Sequence, residues 1–414
     1  MAHTLIEKII GNNVNKDVKP GNIVTVNVDW CMVDDIMAPF TIKKFEEMGF
    51  SKVWDPDKIV LIYDHFLPAT QTDDSRHFRE ADAFADKYGI KNVHRTDGIC
   101  HQLMTEAGYV KPGDIAFGTD SHTVTYGCVG AFSTGIGYTE MAGILGTGQL
   151  WIKVPETIRV NINGKLPGNV TSKDVILRII GDLTASGATY MALEFSGDTI
   201  DAMSVSSRMT MANMAVEAGA KCGVFAPDEK TCEYCGTPYD DKVKSLRPDP
   251  DAVYAKVMDY KAEDFVPVTA CPSLVDNIKP VSEVKGTKVD QVFLGSCTNG
   301  RLEDLQAAAE ILKGKHIAPY LKMIVTPASR KIYLEALKDG TLDILSDAGA
   351  IITTPGCGLC CGRGGGILSD CETVVATNNR NFLGRMGTSK VNIYLASPKT
   401  AAATALKGEI TAME

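Results

Sequence analysis

The chain has 414 residues, of which 44% are hydrophobic and 22% are charged, and it carries a formal net charge of −9 at pH 7. This length suits two or three domains with cores of their own, and the composition is that of a globular protein. The acidic balance, with no basic cluster to offset it, argues against nucleic acid as a partner. No apolar run in the sequence reaches the length of a membrane span.

The N-terminus and the cysteines together predict a cytoplasmic location. Residues 1–8 lack the basic and apolar regions of a signal peptide. Thr4 and Glu7 instead match a capping box, which predicts the start of a helix. Twelve cysteines in a chain of this length are too few for a disulfide scaffold, and we expect them to be reduced.

Strands and helices are predicted in alternation, which indicates an α/β fold with largely parallel sheets. In the N-terminal part, strands are predicted at 59–63 and 114–118. A strand at 154–162 opens a second unit, and the turn-rich residues 267–284 suit an irregular linker. The other predicted elements are helices at 138–145, 172–180 and 209–220, and then strands and helices in turn at 291–295, 302–312, 322–326, 330–337, 351–354, 373–377, 391–395 and 400–406.

Acidic side chains accompany histidines where two of these strands end. Asp64 and His65 follow the first strand, and Asp120 and His122 follow the second. His101 comes after a turn that contains a glycine. A carboxylate orients an imidazole and tunes its pKa, so these residues are candidates for proton transfer. Each pair alone is more often a structural hydrogen bond, and their joint occurrence supports the prediction.

Two further motifs add polar and cationic side chains. Asn213 and Glu217 stand one turn apart on a predicted helix and share a face. Arg380 and Arg385 lie in one loop after a predicted strand, and a guanidinium group binds a carboxylate with two parallel hydrogen bonds. For the arginines alone, a solvated loop with a surface ion pair explains the pattern equally well.

Three cysteines on glycine-rich turns predict a soft metal centre. Cys297 follows the strand at 291–295, and Cys357 and Cys360 follow the strand at 351–354. The carboxyl ends of parallel strands are where α/β proteins hold ligands, and thiolates bind soft metals. A structural zinc site or an electron-transfer cluster takes four protein ligands, whereas three leave one metal position open for a substrate.

Buried free cysteines are the plain alternative to a metal centre. A zinc site is another alternative, because Cys232 and Cys235 form a second CxxC pair. The separation of the two pairs along the chain far exceeds zinc-ribbon spacing, and Cys297 would then have no role. No spacing rule explains Cys361 and Cys371.

These motifs, in their order along the chain, resemble those of the aconitase superfamily over essentially the whole sequence. The shared motifs are Gly98-x-x-His101, Asp120-Ser121-His122, Asn213-x-x-x-Glu217, Cys297-Thr-Asn-Gly, Cys357-x-x-Cys360 and Asn379-Arg-Asn-Phe-x-Gly-Arg385. The resemblance implies three aconitase-type α/β domains, which we place at 1–155, 156–283 and 284–414. Within the superfamily the chain looks like the large subunit of a split hydro-lyase of the 3-isopropylmalate dehydratase type.

The resemblance also implies a cofactor and a role for each site residue. It implies one 4Fe-4S cluster per subunit, held by Cys297, Cys357 and Cys360, whose fourth iron is open and acts as a Lewis acid. Asp64 and His65 would handle the hydroxyl that leaves as water. The remaining implied roles are catalytic for His101 with Asp120 and for His122 with Glu217, and substrate binding or cluster support for Ser121, Asn213, Asn379, Arg380 and Arg385.

A partner is implied as well. Single-chain members of the superfamily carry a fourth, mobile domain that supplies the catalytic serine base and further arginines. This chain has no room for such a domain after the arginine loop. The resemblance therefore implies a small subunit that carries the swivelling domain, in a heterodimer or a larger heteromer, and a small di- or tricarboxylate as substrate.

Two departures from the family pattern concern the choice of substrate. The cluster loop usually reads Cys-Gly-Pro-Cys-Leu and here ends in Cys361, and residues 32–37 replace a stretch that has a histidine before the aspartate. 3-Isopropylmalate is the favoured substrate; 2,3-dimethylmalate is the alternative, followed by homoaconitate and maleate. An electron-transfer iron–sulfur protein has no use for acid–histidine pairs, and an iron-responsive RNA-binding protein needs a basic groove.

Overall fold

A five-stranded parallel sheet forms the N-terminal part of the computed structural model, which describes residues 2–413. Its strands, with those of a small ribbon, are β1 Ile23–Asn27, β2 Trp30–Asp34, β3 Ile59–Ile62, β4 Asn92–His94, β5 Ile115–Gly118, β6 Phe132–Gly135 and β7 Gln149–Lys153. Its helices are α1 Leu5–Val14, α2 Ala38–Glu47, α3 Thr72–Tyr88, α4 Cys100–Glu106 and α5 Tyr138–Thr147. The sheet order is β4-β3-β2-β5-β6, while β1 pairs with β7 in the antiparallel ribbon. β3 and β5 are buried throughout, as expected for inner strands of a parallel sheet.

A four-stranded parallel sheet forms the central part, in the order β10-β9-β8-β11. Its strands are β8 Thr157–Asn163, β9 Ala192–Ser196, β10 Cys222–Phe225 and β11 Lys256–Lys261. Its helices are α6 Ser172–Leu183, α7 Asp198–Ala202, α8 Val205–Met214, α9 Glu229–Cys235 and α10 Asp241–Lys244. A 3₁₀ turn at Ala215–Ala218 continues α8, so that Asn213 and Glu217 lie on one continuous piece of chain.

A seven-stranded sheet forms the C-terminal part and carries the three candidate metal ligands. Its strands are β12 Val268–Ala270, β13 Ile278–Pro280, β14 Gln291–Gly295, β15 Lys322–Thr326, β16 Ile351–Ile352, β17 Thr373–Ala376 and β18 Asn392–Leu395, in the order β13-β12-β18-β17-β14-β15-β16. Its helices are α11 Val281–Val284, α12 Ser296–Asn299, α13 Leu302–Leu312, α14 Arg330–Lys338, α15 Thr341–Asp347 and α16 Pro398–Lys407. The strands from β14 to β18 are parallel, and β12 is antiparallel to β13 and β18.

The predicted α/β fold with largely parallel sheets is confirmed, and the predicted linker at 267–284 is wrong. That segment contains β12 and β13, which extend one edge of the third sheet. Strands of three residues beside prolines carry no readable period, which is why the sequence pattern resembled a linker. The division of the chain into domains at 155 and 283 stays a prediction. No helix among residues 2–413 combines the length and the apolar character that crossing a membrane requires.

Main-chain hydrogen bonds join the first and third sheets beside the candidate site. Gly98 bridges Ser329, and the Ile99 N–H donates to Ala328 O at 2.9 Å. Gly98 has φ 133°, and a Cβ there would lie 2.4 Å from Ala328 O, so only glycine allows this approach. Nearby, the Cys357 N–H donates to Asp64 O at 2.9 Å. The loops that carry the acid–histidine pairs and the cysteines are therefore held together by backbone.

Candidate active site

The three predicted metal ligands meet at the ends of two strands of the third sheet. Cys297 lies in the short helix α12, directly after β14, and Cys357 and Cys360 lie on the loop after β16. All three side chains are buried. Gly295 makes the first turn possible, because a Cβ there would lie 2.2 Å from Thr326 O on the neighbouring strand. The parallel pairing of β14, β15 and β16 thus brings these two loops to one edge.

Hydrogen-bond donors point at the sulfurs of Cys297 and Cys360. The amide nitrogens of Asn213 and Asn379 lie 3.3 and 3.4 Å from Cys297 Sγ. Arg385 Nη2 lies 3.6 Å from Cys360 Sγ. Hydrogen bonding by Cys357 and the charge of Arg385 hold the pKa of Cys360 well below its usual value, although burial opposes this. Donors and a cation around buried sulfurs suit thiolate ligands, so the residues present fit a thiolate-bound metal centre.

The other cysteines singled out from the sequence have different surroundings. Cys361 Sγ faces two carbonyl oxygens, Gly358 O at 3.5 Å and His65 O at 3.9 Å. A hydrogen bond with Cys357 nevertheless lowers the pKa of Cys361, although burial opposes this. Cys371 is exposed, and Cys232 and Cys235 are buried in α9.

The first acid–histidine pair is a buried ion pair. His65 Nδ1 lies 2.7 Å from Asp64 Oδ1, and Asp64 Oδ2 accepts a hydrogen bond from the Cys100 N–H at 2.7 Å. Asp35, which sequence analysis did not assign to the site, accepts the main-chain N–H groups of residues 64, 65 and 66. Burial alone would lower the pKa of His65, but Asp64 and Asp35 raise it well above its usual value.

Asp120 connects the other two histidines. Asp120 Oδ1 lies 2.8 Å from His101 Nε2 and 3.3 Å from His122 Nδ1, and Glu217 Oε1 lies 2.7 Å from His122 Nε2. Burial alone would raise the pKa of Asp120, but the two histidines hold it well below its usual value. Burial lowers the pKa of His101, and its Nδ1 has no hydrogen-bond partner among residues 2–413. His101 is therefore neutral at pH 7, with one ring nitrogen free.

The two arginines predicted to bind a carboxylate reach the same region. Arg380 donates from Nε to Glu217 Oε1 and from Nη2 to Ser121 Oγ, each at 2.9 Å. Arg385, beside Cys360, has a buried Nε without a hydrogen-bond partner in the described part of the chain. The free donor of this half-buried guanidinium is suited to an incoming anion.

Sequence analysis missed Arg301, which connects the segment around Cys297 to helix α4, where His101 lies. Its guanidinium is almost completely buried and donates to Cys297 O at 2.5 Å and to Thr298 O at 2.6 Å. Its Nε donates to Gln102 Oε1 at 3.1 Å, next to His101 on α4. The one available signal was its position directly after the Cys297-Thr-Asn-Gly motif.

Comparison with known proteins identifies the family. The model described as "Aconitase family (aconitate hydratase)" matches residues 7–287 and 273–408. The chain belongs to the aconitase family. Its mixed α/β architecture with mostly parallel sheets is the aconitase-like fold.

Three relatives within the aconitase family are similar to the chain over nearly their whole length. The 3-isopropylmalate dehydratase large subunit 1 of Methanopyrus kandleri is 48% identical over 412 residues, which is 99% of each chain. The probable 3-isopropylmalate dehydratase large subunit of Methanothermobacter thermautotrophicus is 47% identical, again over 99% of each chain. The 3-isopropylmalate dehydratase large subunit of a Sulfurihydrogenibium species is 47% identical over 99% of this chain and 96% of its own.

A solved structure supports the fold of this aconitase-family chain. The holo-form crystal structure of Thermococcus kodakaraensis aconitase X superposes with a TM-score of 0.50, covering 91% of this chain and 89% of its own. The two sequences are 13% identical, so the likeness concerns the fold alone.

Proposed function

We propose that the chain is the large, iron–sulfur subunit of a hydro-lyase that removes water from an alkyl-malate and adds it back, with 3-isopropylmalate as the favoured substrate. The main support is the meeting of three buried cysteines, two acid–histidine groups and two arginines at adjoining strand ends. Relatives named 3-isopropylmalate dehydratase large subunit are 47–48% identical over almost the whole chain. A cytoplasmic location fits the cysteines, all of which are free.

Cys297, Cys357 and Cys360 would hold one 4Fe-4S cluster per chain. When bound, the cluster supplies a Lewis acid for the substrate hydroxyl and carboxylate through the iron that has no protein ligand. Asn213 and Asn379 would stabilise the ligand sulfur of Cys297 with their N–H groups. Arg385 would do the same for Cys360.

His65 is the best-placed proton donor for the hydroxyl that leaves as water. Asp64 and Asp35 keep its pKa well above the usual value, so the imidazole is charged at neutral pH. Asp64 engages Nδ1, which leaves the proton on Nε2 for the substrate. Asp120, whose Oδ2 lies 3.7 Å from that Nε2, is held as a carboxylate and can orient it.

The remaining residues bind and orient the substrate. His122 and Glu217 position Arg380 at the end of an ion-paired chain, and Ser121 fixes its other nitrogen. Arg385 offers its free Nε to a carboxylate. His101 is neutral, so its free Nδ1 can accept a hydrogen bond from the substrate.

A small subunit would complete the site with the base that removes the carbon-bound proton. Three apolar side chains next to the arginines are open to solvent: Phe382 is 48% exposed, Leu383 59% and Ile367 57%. Exposed apolar side chains beside a functional site are typical of a protein interface. They support a heterodimer or larger heteromer in which the partner covers the arginine loop.

2,3-Dimethylmalate dehydratase is the second candidate, and Cys361 is the observation that favours it. This departure from the usual cluster loop places a thiol 3.9 Å from the main-chain oxygen of His65, the residue whose imidazole would handle the hydroxyl. The change therefore lies next to a residue of the proposed site.

The decisive experiment is turnover by the reconstituted complex. The chain is purified without oxygen, its iron and sulfide are measured, and it is mixed with the small subunit of its own organism. We expect about four iron and four sulfide per chain and faster turnover of 3-isopropylmalate than of 2,3-dimethylmalate. Tightly bound zinc without sulfide would contradict the cluster, and the opposite substrate preference would select the second candidate.

A further inference from the structure

Lys173 is completely buried behind the loops that carry Cys297, Cys357 and Cys360. Burying a cation there has a high cost in free energy. Lys173 lies in the first turn of α6 and has 0% exposure. Lysine is almost never fully buried without a charged partner. A cation near the N-terminus of a helix also opposes the helix dipole. Some interaction must therefore offset the unfavourable position of Lys173.

The ammonium group holds the chain just before the arginine loop. Lys173 Nζ donates to Thr377 O and to Asn378 O, each at 2.6 Å. The next residue, Asn379, donates its amide N–H to Cys297 Sγ, and Arg380 follows it with its bond to Glu217. The backbone that Lys173 fixes thus carries one contact to the cluster sulfur and one arginine of the site.

These two carbonyls do not balance the charge. No carboxylate forms a salt bridge or hydrogen bond with Lys173 among residues 2–413, and burial lowers its pKa to about 7. The anionic groups that act on it are Asp304, the sulfurs of Cys297 and Cys360, and Asp174.

Both of these aspartates also accept hydrogen bonds from other groups. Asp174 accepts the main-chain N–H groups of Thr171 and Val268. Asp304 accepts hydrogen bonds from Asn299 and from the Arg301 N–H, and burial raises its pKa to about 6. The sulfurs of Cys297 and Cys360 therefore add to the negative charge that Lys173 faces from these aspartates. With three thiolates on a 4Fe-4S core, the loaded centre has a net negative charge.

We propose that Lys173 is a positioning residue of the cluster site, whose charge compensates the thiolate-bound cluster and whose hydrogen bonds fix the segment that carries Asn379 and Arg380. This inference rests on the proposed iron–sulfur function. Its consequence is electrochemical: a nearby buried cation favours the reduced, more negative cluster, so it raises the reduction potential.

The test compares Lys173→Met, which has similar length and no charge, with Lys173→Arg, which keeps the charge. Lys230→Met is the matched control, because Lys230 also binds two carbonyls, Asp201 O and Met203 O, but is exposed and touches neither cluster loop. Each variant is reconstituted without oxygen. Circular dichroism, iron and sulfide content, and the cluster reduction potential from an EPR-monitored titration are then recorded.

We expect folded Lys173→Met protein whose cluster potential shifts to more negative values, with a smaller shift for Lys173→Arg and none for Lys230→Met. Should Lys173→Met not fold, Lys173→Gln replaces it, since glutamine can still donate to the carbonyls but has no charge. A full cluster with the wild-type potential in either neutral variant would overturn the inference. Failure of the wild-type chain to bind any cluster would instead overturn the proposed function.

Discussion

At the scale of single residues, the loop after β16 contains two adjacent cysteines with different direct contacts. Cys360 faces a guanidinium nitrogen of Arg385, which favours a thiolate. Cys361 faces the main-chain carbonyl oxygens of Gly358 and His65. The direct contacts of the two sulfurs therefore differ where the bare sequence shows two consecutive cysteines.

This contrast predicts the outcome of two serine substitutions. Cys360→Ser should abolish cluster assembly, because a thiolate ligand is removed, and Cys361→Ser should retain it. Iron and sulfide analysis with the visible absorption spectrum measures both. Loss of the cluster in Cys361→Ser with retention in Cys360→Ser would move the ligand assignment by one position.

Away from the site, Asp29 and Asp114 lie close together, directly before the adjacent strands β2 and β5. Asp114 accepts the Lys111 N–H at 2.9 Å, and Asp29 accepts the Ile115 N–H at 2.8 Å. Burial, with the charge of Asp29 beside it, raises the pKa of Asp114 to about 7. The folded protein therefore holds a proton on Asp114 at pH values where the unfolded chain has released it.

Asp114 is predicted to make the protein less stable as pH rises. Its folded pKa is raised, so its contribution to the free energy of unfolding is complete below the unfolded pKa and is lost as pH rises through about 7. Asp114→Asn keeps an oxygen for the Lys111 N–H and has no charge. Its melting temperature should exceed that of wild type at pH 8 and match it near pH 4. Equal melting temperatures at pH 8 would contradict the prediction.

At the scale of elements, the loop before α4 and the loop before α14 pack backbone against backbone. Gly98 and Ser329 form an isolated bridge, and the Arg330 N–H donates to Asp97 O at 2.7 Å. His101 lies only three residues after Gly98 in the sequence. Any separation of the two loops therefore moves a proposed catalytic imidazole.

Gly98→Ala tests this contact. Its Cβ would lie 2.4 Å from Ala328 O at a φ that alanine rarely adopts, so we expect a loss of about 2 kcal/mol or more in unfolding free energy. Gly49→Ala is the control, because Gly49 has φ 77° with no atom within 4 Å of the added Cβ. It should cost about 1 kcal/mol. Urea denaturation measures both, and equal costs would show that close packing at Gly98 is unimportant.

Local patterns predicted the strands that carry the site, because β14 and its neighbours are continuous apolar runs with polar residues at their ends. The same reasoning failed for β12 and β13, which are too short to show a period and are defined by the pairing of β12 with β18 and of β13 with β12. It also missed Arg301 and Lys173, since each acts on residues far away in sequence. Contacts of that kind depend on how sheets pack, which no local spacing encodes.

At the scale of the whole molecule, the arginine loop is the place where the proposed small subunit would bind. The chain offers candidates for the proton donor, the carboxylate anchors and the cluster ligands. A base for the carbon-bound proton is the function assigned to the small subunit. The exposed side chains of Phe382 and Leu383 would then pack against that subunit.

The isolated chain should bind its cluster and turn over 3-isopropylmalate only when the small subunit is added. Phe382→Ser should weaken assembly by about 1–2 kcal/mol, because an apolar contact is lost. Val253→Ser, at a side chain that is 81% exposed on another part of the surface, should leave assembly unchanged. Analytical ultracentrifugation and steady-state rates provide the measurements. Full activity of the isolated chain would contradict the proposed need for a partner.

The two halves of the site lie far apart in the sequence, so one half is synthesised before the other. Cys361 touches the His65 carbonyl across 296 positions of sequence, and Arg301 binds Gln102 across 199. The ribosome therefore releases the histidines and their carboxylates long before the cluster cysteines. Iron present at that stage would find the histidines and carboxylates but none of the three cysteines. The proposed cluster can therefore be held only after the last third of the chain, which carries all three cysteines, has been synthesised.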